Sequence, residues 1–235
     1  MMDIGDIAAL ANDHGLILRG GIRVEGDEGV PDCPSGEAAA MLLLFGQAGS
    51  AIWPHFSGSP EYRDGQADPL DRWSTRVGNA LAQQLGGMAL FPFEGPPWYP
   101  FGQWAQRAES LRPSPLGILM HPAYGLWHAY RFAVALPSTS IPDDGLPITP
   151  SAPRPGPHAC DSCVGAPCLR ACPVDAIQAG GYDVAACAAY LRAHDDAPCH
   201  QLGCLARAAC PESRETRYEP VHCQFHIRQF LASLP

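Results

Sequence analysis

Lysine is absent from these 235 residues. All 15 basic residues are arginine, against 24 Asp and Glu, which leaves a net charge of −9. Nucleic-acid binding needs a basic footprint, so nucleic acid is not an expected partner. Beside abundant Ala, Gly and Pro, the missing lysines read as a coding bias toward GC-rich codons. No apolar run reaches transmembrane length; Met41 to Phe45 suffices only for a buried strand, and no membrane association is expected. Residues 1–10 carry Asp3 and Asp6 and no basic n-region, which predicts no secretory signal and a cytoplasmic location. In a reducing compartment ten cysteines point to metal ligation before disulfides. There is no P-loop, no Gly-x-Gly-x-x-Gly and no His-Glu-x-x-His. The small-residue run Gly46 to Ser50 lacks the flanks of a phosphate loop and is expected to be a tight strand exit.

What the chain does have is eight cysteines in its last third, in two groups of four that each end in Cys-Pro. The first is Cys160, Cys163, Cys168 and Cys172, followed by Pro173. The second is Cys187, Cys199, Cys204 and Cys210, followed by Pro211. Cys163-x4-Cys168 is echoed by Cys199-x4-Cys204, so the region holds an internal repeat. This is the sequence pattern of two [4Fe–4S] clusters, in which the cysteine before proline ligates the other cluster. The expected ligand sets are therefore Cys160, Cys163, Cys168 and Cys210 for one cluster, and Cys187, Cys199, Cys204 and Cys172 for the other. Zinc also takes four-cysteine sites, but zinc modules do not need paired Cys-Pro endings. Cys223 is either a buried thiol on a C-terminal helix or a substitute for Cys199 or Cys204. Cys33, in Pro31-Asp32-Cys33-Pro34, is expected to be a loop thiol with no role.

The composition breaks between Pro137 and Pro157, where prolines are dense enough for a semi-rigid connection. The expected domains are residues 1–145 and 153–235, joined by a Pro-rich linker at 146–152. The first reads as mixed α/β. Leu16 to Leu18 and Gly21 to Val24 suggest a short hairpin, and Ala38 to Phe45 a central strand. Asp68 as N-cap and Pro69 at N1 open a helix to about Leu85, with Leu70, Trp73, Val77, Ala80, Leu81 and Leu85 on one face. Pro115 to Met120 and Tyr130 to Leu136 are predicted to be two strands joined by residues 121–129.

Two stretches resemble known families. Cys160 through Cys172-Pro173-Val174-Asp175-Ala176-Ile177, followed by Tyr182 and by Cys187-Ala-Ala-Tyr190-Leu191, resembles the C-terminal module of epoxyqueuosine reductase, a cobalamin and iron–sulfur enzyme. Reductive dehalogenases share the arrangement more loosely. Met120-His121-Pro122-Ala123-Tyr124-Gly125-Leu126-Trp127-His128-Ala129-Tyr130-Arg131 resembles the cobalamin-processing chaperone of the cblC type, with weaker likeness at 41–56 and 68–81. The second resemblance implies a nitroreductase-like α/β fold that holds cobalamin base-off. It implies cofactor contacts from Met120, His121, Tyr124, Gly125, Trp127, Tyr130 and Arg131. Arg131 falls where that family uses an arginine for glutathione; Leu126 and Leu119 depart from its pattern.

Together the resemblances imply an oxidoreductase that reduces cobalt and removes the upper ligand of cobalamin. It would be fed by an electron donor that the sequence does not identify and would serve a downstream B12-accepting protein. A corrin needs apolar walls with a few polar groups, and Trp98, Tyr99, Phe101, Trp104, Tyr124 and Trp127 are the aromatic candidates, each equally at home in ordinary core packing. His121 and His128 are more often structural than cobalt ligands in such a turn. Two alternatives stand beside this reading. One is an epoxyqueuosine-reductase-like or dehalogenase-like cobalamin enzyme acting on an organic substrate. The other is a ferredoxin-type electron carrier whose first domain binds flavin, as FMN or FAD.

Overall fold

The computed structural model describes residues 2–26, 28–109, 111–140, 158–178 and 181–234. The expected linker at 146–152 lies outside the described residues. The chain divides into two compact units. One comprises Met1–Leu111 with Ala129–Arg154, the other Arg112–His128 with Pro155–Pro235.

The first unit is mixed α/β. Its sheet orders four strands as Ile17–Arg23, Ala39–Ala48, His128–Pro137 and Met88–Leu90. Met41 to Phe45 are all fully buried, which a strand achieves only when both of its faces are covered. On one face Leu42 and Leu44 join Trp104, Phe101 and Ala108 of the Phe101–Glu109 helix. On the other, Phe45 stacks on Phe132 with ring centroids 5.2 Å apart. There the Pro69–Leu85 helix lays Trp73, Val77 and Leu81 inward. Ala80, expected on that face, is exposed.

Three local expectations change. Ile17–Arg23 is one strand, not a hairpin: it runs antiparallel to Ala39–Ala48 with a register shift between Leu18 and Gly21. Gly20 sits at φ 108°, a conformation open to glycine that absorbs the extra residue as a bulge. Asp68 makes no side-chain cap, because its own backbone is left-handed at φ 50°, which turns the carboxylate away from the first-turn amides. The strands expected around residues 121–129 are not partners. Leu119–Met120 pairs with Arg112–Pro113, while His128–Pro137 enters the four-stranded sheet.

A buried polar cluster also sits in the first unit. Arg19, with its side chain 1% exposed, meets Glu109 through Nη2 at 2.7 Å and through Nε at 2.9 Å. The Tyr130 hydroxyl donates to the same carboxylate, and the Arg19 guanidinium lies 4.6 Å from the Tyr130 ring centroid. Burial, then the Glu109 charge, pushes the Tyr130 hydroxyl far above its ordinary value. Cys33 is buried, its Sγ facing the Ala135 carbonyl at 3.8 Å.

The second unit gathers the cysteine region with residues 112–128. It carries the helices Val184–Ala193, Pro198–Leu202, Leu205–Ala208 and Pro220–Ala232. Inclusion of 112–128 differs from a division at the prolines, and its cause is packing. Met120 and Leu126 bury against Cys210 and Cys160, and Trp127 buries against Tyr218 and Cys223. No helix among the described residues is long and apolar enough to cross a membrane.

At Gly46 the sheet tolerates no side chain: a Cβ there would lie 2.2 Å from the Ala129 carbonyl oxygen. Gly46→Ala is expected to lower stability by about 1–3 kcal/mol, the usual range for overpacking. Urea unfolding followed by circular dichroism measures it, and an unchanged midpoint would contradict this close approach.

Candidate metal centres

Short spacings put the cysteines on turns and short helices, and the turns aim them inward. Cys160, Cys163, Cys168 and Cys210 line one cavity. Cys172, Cys187, Cys199 and Cys204 line a second, of about 230 Å³. Each cavity thus takes three thiols from one half of the repeat and the cysteine that precedes proline in the other half; Cys223, outside the repeat, adds a fifth thiol to the second. The first cavity measures only about 20 Å³, hardly more than one water, so its side chains must swing outward to admit a larger group. The second is open as it stands.

Among the described residues no three Cys, His, Asp or Glu converge closely enough to hold a single metal ion. A zinc site would bring its sulfurs to about 2.3 Å from one centre. Thiols ringing a cavity suit a polynuclear group in which each sulfur meets a different metal. The chemistry of the lining agrees. Burial pushes the thiols of Cys160, Cys168, Cys187, Cys199 and Cys210 up, with neighbouring thiols adding to it. The backbone amides of Leu169, Leu205 and Glu212 oppose this at Cys168, Cys199 and Cys210. The Ala176 N–H donates to Cys172 Sγ at 3.3 Å. Such thiols hold their protons until a cation displaces them, so loading releases protons.

Residues 112–128 supply one wall of each cavity. Ser114, Pro115, Leu116, Met120 and Leu126 line the first; Trp127 lines the second. The turn that presents them is tight. His121 and Gly125 exchange backbone hydrogen bonds at 2.9 and 2.8 Å. His121 Nδ1 accepts from the amides of Ala123 and Tyr124 at 3.0 and 3.1 Å, and its ring stacks on Tyr124. Gly125 is left-handed at φ 54°, and a Cβ there would stand 3.1 Å from the Glu212 carbonyl oxygen. His128 Nε2 lies 2.9 Å from the Leu119 carbonyl oxygen.

Arg207 fixes the end of this segment. Its guanidinium lies 4.6 Å from the Trp127 ring and 4.6 Å from the Tyr218 ring. Its Nε donates to the Leu126 carbonyl at 3.2 Å. Trp127 is 3% exposed, and its indole N–H has no acceptor among the described residues, a state that costs about 1–3 kcal/mol. Cys223, on the C-terminal helix, lines the second cavity with His226, Ile227 and Phe230.

The seven residues expected at a corrin are divided. Met120, His121, Tyr124, Gly125 and Trp127 lie in the cysteine unit, Tyr130 and Arg131 in the first unit. The aromatic wall expected over 98–127 divides too: Trp98 is exposed, Tyr99, Phe101 and Trp104 pack into the core of the first unit, and Tyr124 and Trp127 belong to the second. Spacing alone pointed to the eight cysteines. Arg207 and Tyr218 escaped it, because Arg207 and Leu126 stand 81 residues apart and no local pattern joins them; a C-terminal helix carrying Cys223 was expected, and the Pro220–Ala232 helix does carry it.

No protein-family model matches the chain, and no curated protein sequence does. Among solved structures, one of a selenomethionine-labelled epoxyqueuosine reductase aligns at 15% identity with a TM-score of 0.44, covering 79% of this chain and 52% of that one. The chain spans about half the length of that protein.

Arg207→Lys removes the planar group that both rings and the Leu126 carbonyl share, which an ammonium cannot replace. The expected cost is about 1–3 kcal/mol, read as a lower thermal midpoint of the metal-free chain. A midpoint equal to wild type would show that Arg207 does not hold this segment.

Proposed function

We propose that this chain is an iron–sulfur oxidoreductase whose second unit, of the two-cluster ferredoxin kind, binds two [4Fe–4S] clusters. Cys160, Cys163, Cys168 and Cys210 would hold one, and Cys172, Cys187, Cys199 and Cys204 the other. The observation that carries this reading is the exchange of the cysteines before Pro173 and Pro211 between the two cavities. A pair of independent zinc modules has no reason to trade ligands. Bound there, the clusters supply one-electron transfer at potentials set by the hydrogen bonds and solvent exposure of their sulfurs.

The residues of the chain do the remaining work. The amides of Leu169, Leu205 and Glu212 favour the deprotonated, ligating form of their thiols. Met120, Leu126 and Leu116 exclude water from the first cavity, and Trp127, Tyr218, Ile227 and Phe230 from the second. Cys204 is exposed, and it lines a groove of about 670 Å³ with Ile118, Ile177, Tyr182 and Arg207. That exposure makes it the side of the second cavity from which electrons enter or leave.

For the acceptor, two readings remain from the resemblances, and the packing favours one. The motif that carries the likeness to the cobalamin chaperone is committed elsewhere: Met120, Leu126 and Trp127 are buried against the cysteine unit, and Tyr130 is engaged by Glu109 and Arg19. This supports the epoxyqueuosine-reductase-like or dehalogenase-like reading, in which cobalamin serves as catalytic cofactor for an organic substrate. The net charge of −9 and the lack of lysine argue against a tRNA substrate. Cobalamin chaperoning in a nitroreductase-like first domain, or flavin there, are the competing outcomes.

Anaerobic reconstitution with iron and sulfide is expected to load about eight irons per chain, two cubanes. Titration with hydroxocobalamin should then change the corrin spectrum, with the corrin retained through repeated reduction. Release of processed corrin would support the chaperone reading, and flavin freed by heat denaturation the carrier reading. A chain purified with zinc and without labile sulfide would end the proposal.

A further inference from the structure

We infer that the indole N–H of Trp127 is a hydrogen-bond donor to the group held by Cys172, Cys187, Cys199 and Cys204, and that it raises the reduction potential of that group alone. The inference rests on the proposed iron–sulfur occupancy and goes beyond it, to what distinguishes the two centres.

Three observations converge on Trp127. Its side chain is 3% exposed, yet Nε1 finds no acceptor among the described residues. Buried indole N–H groups almost always have one. The same side chain lines the cavity of Cys172, Cys187, Cys199, Cys204 and Cys223, and thiolate and sulfide sulfurs can accept hydrogen bonds but donate none. The ring is also held in place: the Arg207 guanidinium covers it at 4.6 Å, and Tyr218 meets it edge-on at 5.4 Å and 65°. It is not free to turn toward another acceptor.

The other centre has no indole donor among the described residues. Its lining is Ser114, Pro115, Leu116, Met120, Leu126 and their like, and Trp127 is the sole tryptophan of the second unit: Trp53, Trp73, Trp98 and Trp104 all belong to the first. A donor to a cluster sulfur stabilises the more negative, reduced state and raises the potential. One indole on one centre therefore raises that potential without touching the other.

The test uses the full chain reconstituted anaerobically, with Trp127→Phe keeping a ring face for Arg207 while removing the donor. In a potentiometric titration followed by electron paramagnetic resonance, one of the two midpoints should move to a more negative value. The other should stay, at unchanged iron and sulfide content. Two unmoved midpoints in a fully loaded variant would overturn the inference. Should the variant fail to assemble, native protein carrying tryptophan labelled with ¹⁵N at the indole decides. A nitrogen coupling to a reduced cluster supports the assignment; no coupling in fully loaded protein overturns it. A native chain that takes up no iron brings down the proposed function itself, a failure separate from the other two.

Discussion

The second unit depends on an exchange: each half of the cysteine repeat completes its cavity with a thiol from the other half. Cys172 leaves the first group to face Cys187, Cys199 and Cys204, and Cys210 leaves the second to face Cys160, Cys163 and Cys168. Neither half then lines its cavity with its own thiols alone. The constraint is electrostatic as well as geometric. Closely set, half-buried thiols resist ionisation, and their charge is tolerated only with cations between them and amides pointed at them. The amide bonds onto Cys172, Cys168, Cys199 and Cys210 meet the second condition within the protein itself.

Residues 112–128 close both cavities from the side the repeat leaves open. Met120 and Leu126 cover the first, Trp127 the second, and the His121–Gly125 turn sets the distance between them. Arg207 secures the strap with one planar cation that serves two aromatic rings and a carbonyl. The residues that most resemble a cobalamin-handling motif thus have a structural task close to the thiols.

Legibility in the sequence followed range. The thiol spacing was readable because each group spans a few turns and Cys-Pro marks its end. The Pro69–Leu85 helix and the central Ala39–Ala48 strand were readable from 3.6-residue periodicity and an unbroken apolar run. Asp68 misled, since an N-cap is a backbone conformation before it is a residue type. Gly20 misled, since a glycine between two apolar runs signals a bulge as well as a turn. The place of 112–128 was not readable at all. It rests on Leu126 and Trp127 meeting Arg207 and Tyr218, contacts that no local pattern encodes, and strong prolines at 137–157 drew the boundary elsewhere.

The exchange of thiols can be examined one ligand at a time. In reconstituted protein, serine at Cys210 and serine at Cys163 should perturb the same paramagnetic signal. Serine at Cys172 and serine at Cys204 should together perturb the other. If Cys210→Ser instead disturbs the signal that Cys204→Ser disturbs, each half keeps its own four ligands, and the account of a shared, interlocked pair of centres is wrong.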